Sequence, residues 1–240
     1  MGKLLKFEFA KLIKSKVFYI CLAICAAMVI LIGWITGANS PGATSLNFFK
    51  SFVELSLITT VICIPVSIFV CEDAQCGAEK TVLGRGISRT KFFFAKYISS
   101  LVGYMIFVFG VMAVTLVFGL IKFEFKEDPT VVSFIFLTLL GLFMYHGLFF
   151  AVSTISGKNG ITIAISILVP SIMTLLMMLL DHYCKIDDFT FQTFSFSNIL
   201  GTLTQYQEWN KDITWAAVLA ATYPCTLIGI AHEVYIRKEN

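Results

Sequence analysis

Long apolar runs alternate with short polar segments along the whole chain, and this pattern predicts a bundle of membrane-spanning helices. A helix needs about 20 predominantly apolar residues to cross a bilayer, and six runs reach or approach that length. Segments rich in Gly, Asn, Ser, Pro and charged residues separate these runs. The predicted spans cover residues 17–35, 52–70, 98–119, 131–155, 161–180 and 213–232.

The composition agrees with this class. Hydrophobic residues make up 58% of the 240 residues, charged residues only 14%, and the mean hydropathy is +0.85. Soluble domains average about 25% charged residues. We therefore expect an all-α integral membrane protein, a single transmembrane domain over residues 1–240 surrounded by membrane lipid. Nucleic acid is not expected as a partner, because the basic residues flank apolar runs and form no groove-reading motif.

Residues 1–16 are predicted to form an interfacial helix that lies in the headgroup plane. One side of the helical wheel is apolar, with Leu5, Phe9, Leu12 and Ile13. The opposite side is basic, with Lys3, Lys6, Lys11 and Lys14. A signal peptide is the competing interpretation, but the apolar run that follows is longer than the usual 7–15 residues and no A-x-A type cleavage site follows it.

The distribution of Lys and Arg predicts the orientation of the chain. With the N-terminus inside, thirteen of the 18 Lys and Arg lie in cytoplasmic segments and five in external ones. Cytoplasmic loops carry such an excess. The sequence therefore predicts an N-in, C-in protein with six spans, and an external acidic and aromatic segment before the last span. Within that segment, residues 197–209 are predicted to form a short helix capped by Ser197.

The polar stretch 72–97 lies between the second and third predicted spans and holds five of the 18 basic residues. Gly77 precedes a short helix-forming piece, residues 78–83, and Gly84 and Gly86 end it. Ser88 is then predicted to cap a new helix that continues into the third span. A short helix between two spans on the basic side is typical of an element on which another protein docks.

Weakly polar residues form stripes on two predicted spans. On the second span they lie within roughly 100° of one helical face, at Ser56, Thr59, Thr60, Cys63 and Ser67. On the fifth they are accompanied by flexible Met, at Thr162, Ser166, Met173 and Met177, beside Pro170, where we expect a kink or break. Such stripes suit a route for an amphipathic substrate, and they equally suit helix packing, where small hydroxyl residues are common. Gly33 and Gly37 form a GxxxG that indicates a further helix contact.

Motifs for catalysis are absent from the sequence. No GxxxxGK[ST] nucleotide-binding loop occurs, His232 is followed by no second His for a zinc protease, and no GxSxG serine motif is present. The seven cysteines show no metal-binding spacing. We therefore predict no catalytic residues and no metal site in this chain, and any ATP must be bound by another protein.

The stretch 72–97 resembles the first cytoplasmic loop of ABC type-2 transporter permeases. The residues that match the family pattern are Glu72, Gly77, Lys80, Leu83, Arg85, Ser88, Arg89 and Lys96. Ala78 and Gly86 depart from it, since the family commonly has Thr and Pro there. The basic start of the chain also resembles the connecting helix of this family.

This resemblance implies a membrane subunit of a bacterial ABC exporter in the cytoplasmic membrane. Two ATP-binding subunits, which hold ATP and Mg, would dock below a pair of permease chains, identical or homologous. The piece around residues 77–83, including Glu79, would be the coupling helix. The second and fifth spans would meet near the pathway, and the segment before the sixth span resembles the external re-entrant helices of G-type ABC exporters.

Permeases of this small size are common among lantibiotic-immunity and bacitracin-resistance exporters, which implies an antimicrobial peptide, lipid or drug as the substrate. Two other functions stay open on the residues alone. One is a membrane-embedded enzyme without an ATPase partner, and the other is a non-transporting sensor or assembly subunit.

Overall fold

A computed structural model describes residues 2–39, 44–54, 56–124, 130–184, 190–205 and 208–237, without the side chains of residues 3, 38, 39, 46 and 51–60. Within these ranges the chain is helical, and the only β-type pairing is an isolated bridge between Thr44 and Glu124. The helices are α1 (Gly2–Lys14), α2 (Lys16–Asn39), α3 (Ser45–Glu54), α4 (Ser56–Gln75), α5 (Ala78–Gly84), α6 (Arg89–Lys122), α7 (Val131–Ser156), α8 (Asn159–Cys184), α9 (Phe196–Thr204) and α10 (Lys211–Arg237).

Five of these helices, α2, α6, α7, α8 and α10, are long and apolar enough to cross a membrane by length and composition. The number is six if the bent pair Val61–Gln75 and Ala78–Gly84 counts as one span. The structure thus confirms that the described residues are all-α and include several long apolar helices that could span a membrane. The third predicted span is the inner part of a longer helix, since the 34 residues of α6 extend over about 51 Å, beyond a hydrocarbon core of about 30 Å.

α7 is the central helix of the bundle. Its apolar window is 67% buried, against 11% for that of α8, although both helices have 26 residues. α7 packs against α4, α6, α8, α9 and α10. The outward faces of α2, α6 and α8 supply most of the exposed large hydrophobic residues that a lipid or a second chain can contact.

The face that α1 packs against the bundle differs from the predicted one. Ile13, which we predicted on the apolar side, is 62% exposed, whereas Glu8 is buried. Leu12 packs directly on Gly103 of α6. The contact is so close that a Cβ atom added to Gly103 would lie 2.3 Å from Leu12 Cδ1. Packing against α6 rotates the helix so that Phe7 and Ile13 point away from the protein. A membrane-plane helix can place such residues in lipid.

The end of the bundle opposite to α1 is covered by two short helices. α3 packs on α6, and Ser45 N–H donates to the carbonyl of Glu124 at 3.0 Å. α9 lies against α7 and α10, where Leu200 approaches Gly141 of α7. The predicted helix at residues 197–209 starts earlier, because Ser195, not Ser197, caps it by accepting from Asn198 N–H at 3.2 Å. Ser197 lies within α9.

Two sequence details have different outcomes. The Gly33 and Gly37 contact is confirmed, since a Cβ on Gly33 would lie 2.3 Å from the ring of Phe118 on α6. At Pro170 the helix does not break, because α8 continues from Asn159 to Cys184, while the alternative of a kink stays a prediction. Thr174 Oγ1 donates to the carbonyl of Pro170 at 2.9 Å, so a side chain of the following turn bonds to the backbone at this point.

Candidate functional site

α5 projects from the end of the bundle at which α4 ends and α6 begins. Gly77 adopts φ +70°, a left-handed conformation that most side chains disfavour, and α5 turns away from α4 by 60°. None of the residues of α5 is buried. The short helix predicted at residues 78–83 is therefore confirmed at Ala78–Gly84, as an exposed element between two long helices.

Gly86 gives the second turn, after α5. Its φ is +83°, and its N–H donates to the carbonyl of Leu83 at 3.0 Å. Proline has φ fixed near −65° and no N–H, so a proline cannot occupy this conformation. Ser88 precedes α6 as predicted, but its side chain makes no capping hydrogen bond.

The predicted coupling residues divide between two places. Glu79, Lys80, Leu83 and Arg89 line one cavity beside α5. Arg89 also donates from Nη1 to the carbonyl of Ile236 at 3.2 Å, which ties the start of α6 to the end of α10. Glu72 lies outside this cavity, at the end of α4, and pairs with Lys11 at 3.1 Å. Arg85 lies exposed in the turn that Gly86 completes.

A buried ion-pair cluster lies at the base of α5. Asp73 Oδ1 accepts from Lys11 at 2.5 Å, and Oδ2 accepts from Lys96 at 2.5 Å. The side chains of Asp73 and Lys96 are each only 7% exposed. These bonds connect α1, α4 and α6 at one point, close to the start of α5. The sequence patterns identified Lys96 and the neighbouring Glu72, but they missed Asp73.

Glu8 belongs to the same cluster and has no counter-ion of its own. It is 1% exposed, and neither of its carboxylate oxygens has a hydrogen-bond partner among the described residues. Lys11 and Lys96 already pair with Glu72 and Asp73, and Glu8 makes no ion pair among the described residues. Burial raises the pKa of Glu8, and the nearby acids raise it further against the opposing lysines. Glu8 is therefore protonated more readily than an exposed glutamate.

Lys11 keeps its charge in this environment. Burial lowers the pKa of Lys11, but the hydrogen bonds and charges of Asp73 and Glu72 outweigh that effect and raise it overall. A sequence signal for Glu8 did exist. On a helical wheel Glu8 lies about 40° from Leu12 and about 60° from Leu5, so an acid stands on the apolar side of α1.

The two predicted polar stripes lie on helices that pack together, α4 and α8. On α4, Cys63 and Ser67 are buried, whereas the side chains of Ser56, Thr59 and Thr60 lie outside the described residues. On α8, Thr162 and Ser166 are buried with Pro170, and Met173 and Met177 are half-buried. The buried edge of α8 is thus formed by Thr162, Ser166 and Pro170, spaced one turn apart.

Some polar side chains of these stripes have hydrogen-bond partners, and others have none among the described residues. Cys71, one turn beyond Ser67, has its Sγ 3.4 Å from Thr162 Oγ1, which also bonds to Ser156. Ser67 and Ser166 are buried, and their hydroxyls have no partner among the described residues. A buried unpaired hydroxyl is a cost in stability that a polar ligand or water can offset. The contact between α4 and α8 therefore holds two polar groups that packing alone leaves unsatisfied.

A second polar group lies in the middle of the bundle, around His146 of α7. The imidazole is fully buried, its Nε2 is 3.1 Å from Ser100 Oγ, and Tyr97, Tyr104 and Phe150 surround the ring. The adjacent cavity, beside Ser100 and Tyr104, measures about 20 Å³. That volume holds about one water molecule, so this group packs the core.

Comparison with known families gives one match. The family described as "Protein of unknown function (DUF2705)" matches residues 23–239, almost the entire chain. No curated protein sequence matches the chain.

Proposed function

We propose that this chain, which belongs to the DUF2705 family of proteins of unknown function, is the transmembrane permease subunit of an ATP-driven ABC exporter. α5 is the coupling helix in this proposal. The observation that carries it is the exposed α5, which sits between two sharp turns with none of its residues buried. An exposed helix held rigidly at both ends suits a contact through which one protein moves another.

The link from α5 to the rest of the protein supports this role. Asp73 lies four residues before Gly77, and Lys96 lies within the first turns of α6. Their buried pair, with Lys11 on the second carboxylate oxygen, fastens both sides of α5 to each other and to α1. A displacement of α5 therefore moves α4, α6 and α1 as a unit, as coupling to ATP hydrolysis requires.

The orientation follows from the basic residues. α1, the stretch from α5 to the first turns of α6, and the segment between α7 and α8 lie at one end of the bundle. Thirteen of the 18 Lys and Arg belong to residues 1–16, residues 72–97, Lys158, Arg237 and Lys238. We assign this end to the cytoplasm of a bacterial cell, with α4 as the sixth span beside the five long apolar helices. α9 and the turn before it then lie at the external end.

The partners follow from the same proposal. Two ATP-binding subunits carry the ATP and Mg, and a second permease chain completes the complex. The substrate is amphipathic, an antimicrobial peptide, lipid or drug of the kind that lantibiotic-immunity and bacitracin-resistance exporters move. Ser67 and Ser166, with their unpaired hydroxyls, are the described residues that best suit contact with its polar part.

The docking assignment is tested by the double variant Lys80→Asp, Leu83→Asp, co-expressed with the ATP-binding subunit that the proposal requires. The change inverts a charge and removes an apolar contact on α5, so we expect the co-purified ATPase to fall roughly tenfold or more. Lys91→Asp is the matched control, since Lys91 is exposed on α6 outside α5. The assignment would be overturned if the double variant still co-purified the full amount of ATPase and if its cells kept their resistance to the antimicrobial peptide or drug.

A further inference from the structure

A cavity of about 340 Å³ lies at the end of the bundle where α5 meets the long helices. Its wall is made by the end of α4, the first turns of α6, the last turns of α7 and the end of α10, together with one side of α5. Ligand cavities in proteins begin at about 300 Å³. The space is therefore large enough for a small polar group, and it lies where helices leave the apolar part of the bundle.

Positive charge from three separate elements converges on this cavity. Lys80 comes from α5, Arg89 from the start of α6 and Lys158 from the turn between α7 and α8. Glu79 is the one acid among the lining residues, and Lys96, which also reaches the wall, is neutralised by Asp73. Lys80 and Lys158 are exposed and make no ion pair among the described residues. The cavity thus has an excess of positive charge.

The rest of the wall is apolar and aromatic. Phe92 and Phe93 of α6 and Phe150 of α7 are almost fully buried and form its inner part. Ser153 and Ser156, at the end of α7, also line the cavity, and their hydroxyls bond to the carbonyl of Phe149 and to Thr162 Oγ1. A soluble anion would gain nothing from the aromatic part, whereas an amphipathic anion would contact both.

We propose that this cavity binds the phosphate-containing headgroup of an anionic membrane phospholipid, with its glycerol against the apolar part of the wall. Lysine is a common phosphate-binding side chain, and basic pockets between membrane helices at the cytoplasmic surface bind anionic headgroups. The volume fits a headgroup but not a whole lipid, so the chains must extend along the outer surface of the bundle. This site does not depend on an ATPase docking on α5.

Native mass spectrometry of the full chain, purified in detergent and titrated with lipid, tests the proposal. We expect one phosphatidylglycerol to bind more than tenfold more tightly than phosphatidylcholine, since Lys80 and Lys158 favour the net negative headgroup. Lys158→Gln should weaken phosphatidylglycerol binding about fivefold, and Lys80→Gln should do the same. Lys91→Gln, exposed on α6 outside the cavity, should leave binding unchanged.

Three outcomes would overturn the site. Equal binding of both lipids would show no headgroup recognition, and equal binding by Lys158→Gln, Lys80→Gln and the parent protein would place any lipid elsewhere. A parallel thermal titration with inorganic phosphate separates the lipid from a soluble anion. If phosphate alone raises the unfolding temperature as much as phosphatidylglycerol does, the cavity recognises soluble phosphate and the lipid assignment fails.

Discussion

Asp73 accepts a hydrogen bond from Lys96 at 2.5 Å, and this pair links the two helices that precede and follow α5. The two residues are 23 positions apart, one at the end of α4 and the other near the start of α6. Lys11 reaches the second oxygen of Asp73 at the same distance. Three helices therefore meet at a single carboxylate, directly below the helix that we propose as the docking element.

Removing the charge of Asp73 should destabilise the protein strongly. Asp73→Asn leaves Lys96 buried without its counter-ion, and breaking a buried ion pair in this way costs about 3–5 kcal/mol. We expect a clear fall in the unfolding temperature of the detergent-purified protein. Glu72→Gln is the matched control, because Glu72 is 49% exposed and its pair with Lys11 contributes little. Equal unfolding temperatures of the two variants would contradict a structural role for Asp73.

Glu8 should make stability depend on pH. Its folded pKa is raised above the unfolded value, so its stabilising contribution is complete below the ordinary pKa of a glutamate and is lost as the pH rises through the raised value. Lys11 on α1, Glu72 and Asp73 on α4, and Lys96 on α6 are the charged groups around it. Glu8→Gln cannot ionise, so we expect this variant to match the parent protein at acidic pH and to exceed it near neutrality.

Unfolding temperatures measured from pH 4 to pH 8 check this difference. Glu233→Gln serves as the control, since Glu233 is exposed on α10 and should leave the pH profile unchanged. A Glu8→Gln protein that is less stable than the parent at neutral pH would show that the carboxylate is ionised and paired.

Most of the long helices were predictable from the sequence, because span length is set by the thickness of the bilayer. The predicted span 52–70 is an exception, since residues 52–54 belong to α3 and residues 56–70 to α4. The runs that became α2, α7 and α8 were identified within a few residues at most ends. α5 was predictable for another reason: Gly77 and Gly86 both adopt positive φ, which glycine tolerates better than other residues.

The ion-pair cluster was not predictable to the same degree. Glu72 and Asp73 are adjacent acids, and successive residues on a helix point about 100° apart, so only packing against α1 and α6 decides which one is buried. The same packing rotates α1 and exposes Ile13. Helical periodicity finds an apolar side, but it does not reveal which neighbours will neutralise a charge within it.

The turn after α5 should require glycine at position 86 but not at position 84. Gly86 has φ +83°, so Gly86→Ala introduces strain of about 1 kcal/mol or more. Gly84 is helical, without a positive φ and with open space around a Cβ, so Gly84→Ala should stabilise α5 by up to about 1 kcal/mol. Hydrogen exchange of the α5 amides measures both effects. Similar exchange rates in the two variants would contradict the turn.

Mutations in the stripes on α4 and α8 should distinguish a role in helix packing from a role in a substrate pathway. Ser67→Ala and Ser166→Ala each remove a buried hydroxyl that lacks a partner, so unfolding temperatures should be unchanged or slightly higher. If these hydroxyls contact the substrate, resistance should fall while the protein remains stable. Bulky substitutions at Thr59 and Thr60, such as Thr→Phe, should likewise alter resistance without loss of assembly. Unchanged resistance in all four variants would leave helix packing as the role of the stripes.

The contact between α7 and α10 should tolerate no added methyl group at Gly147. A Cβ there would lie 2.6 Å from Pro224 Cβ and 2.8 Å from Pro224 Cα, and backbone atoms of a helix cannot move aside cheaply. Overpacking of this kind costs about 1–3 kcal/mol, so Gly147→Ala should lower the unfolding temperature. Gly229→Ala on α10 is the matched control, because it meets nothing within 4 Å and should gain helix propensity. If Gly147→Ala were as stable as Gly229→Ala, α7 and α10 would not pack as closely as these distances require.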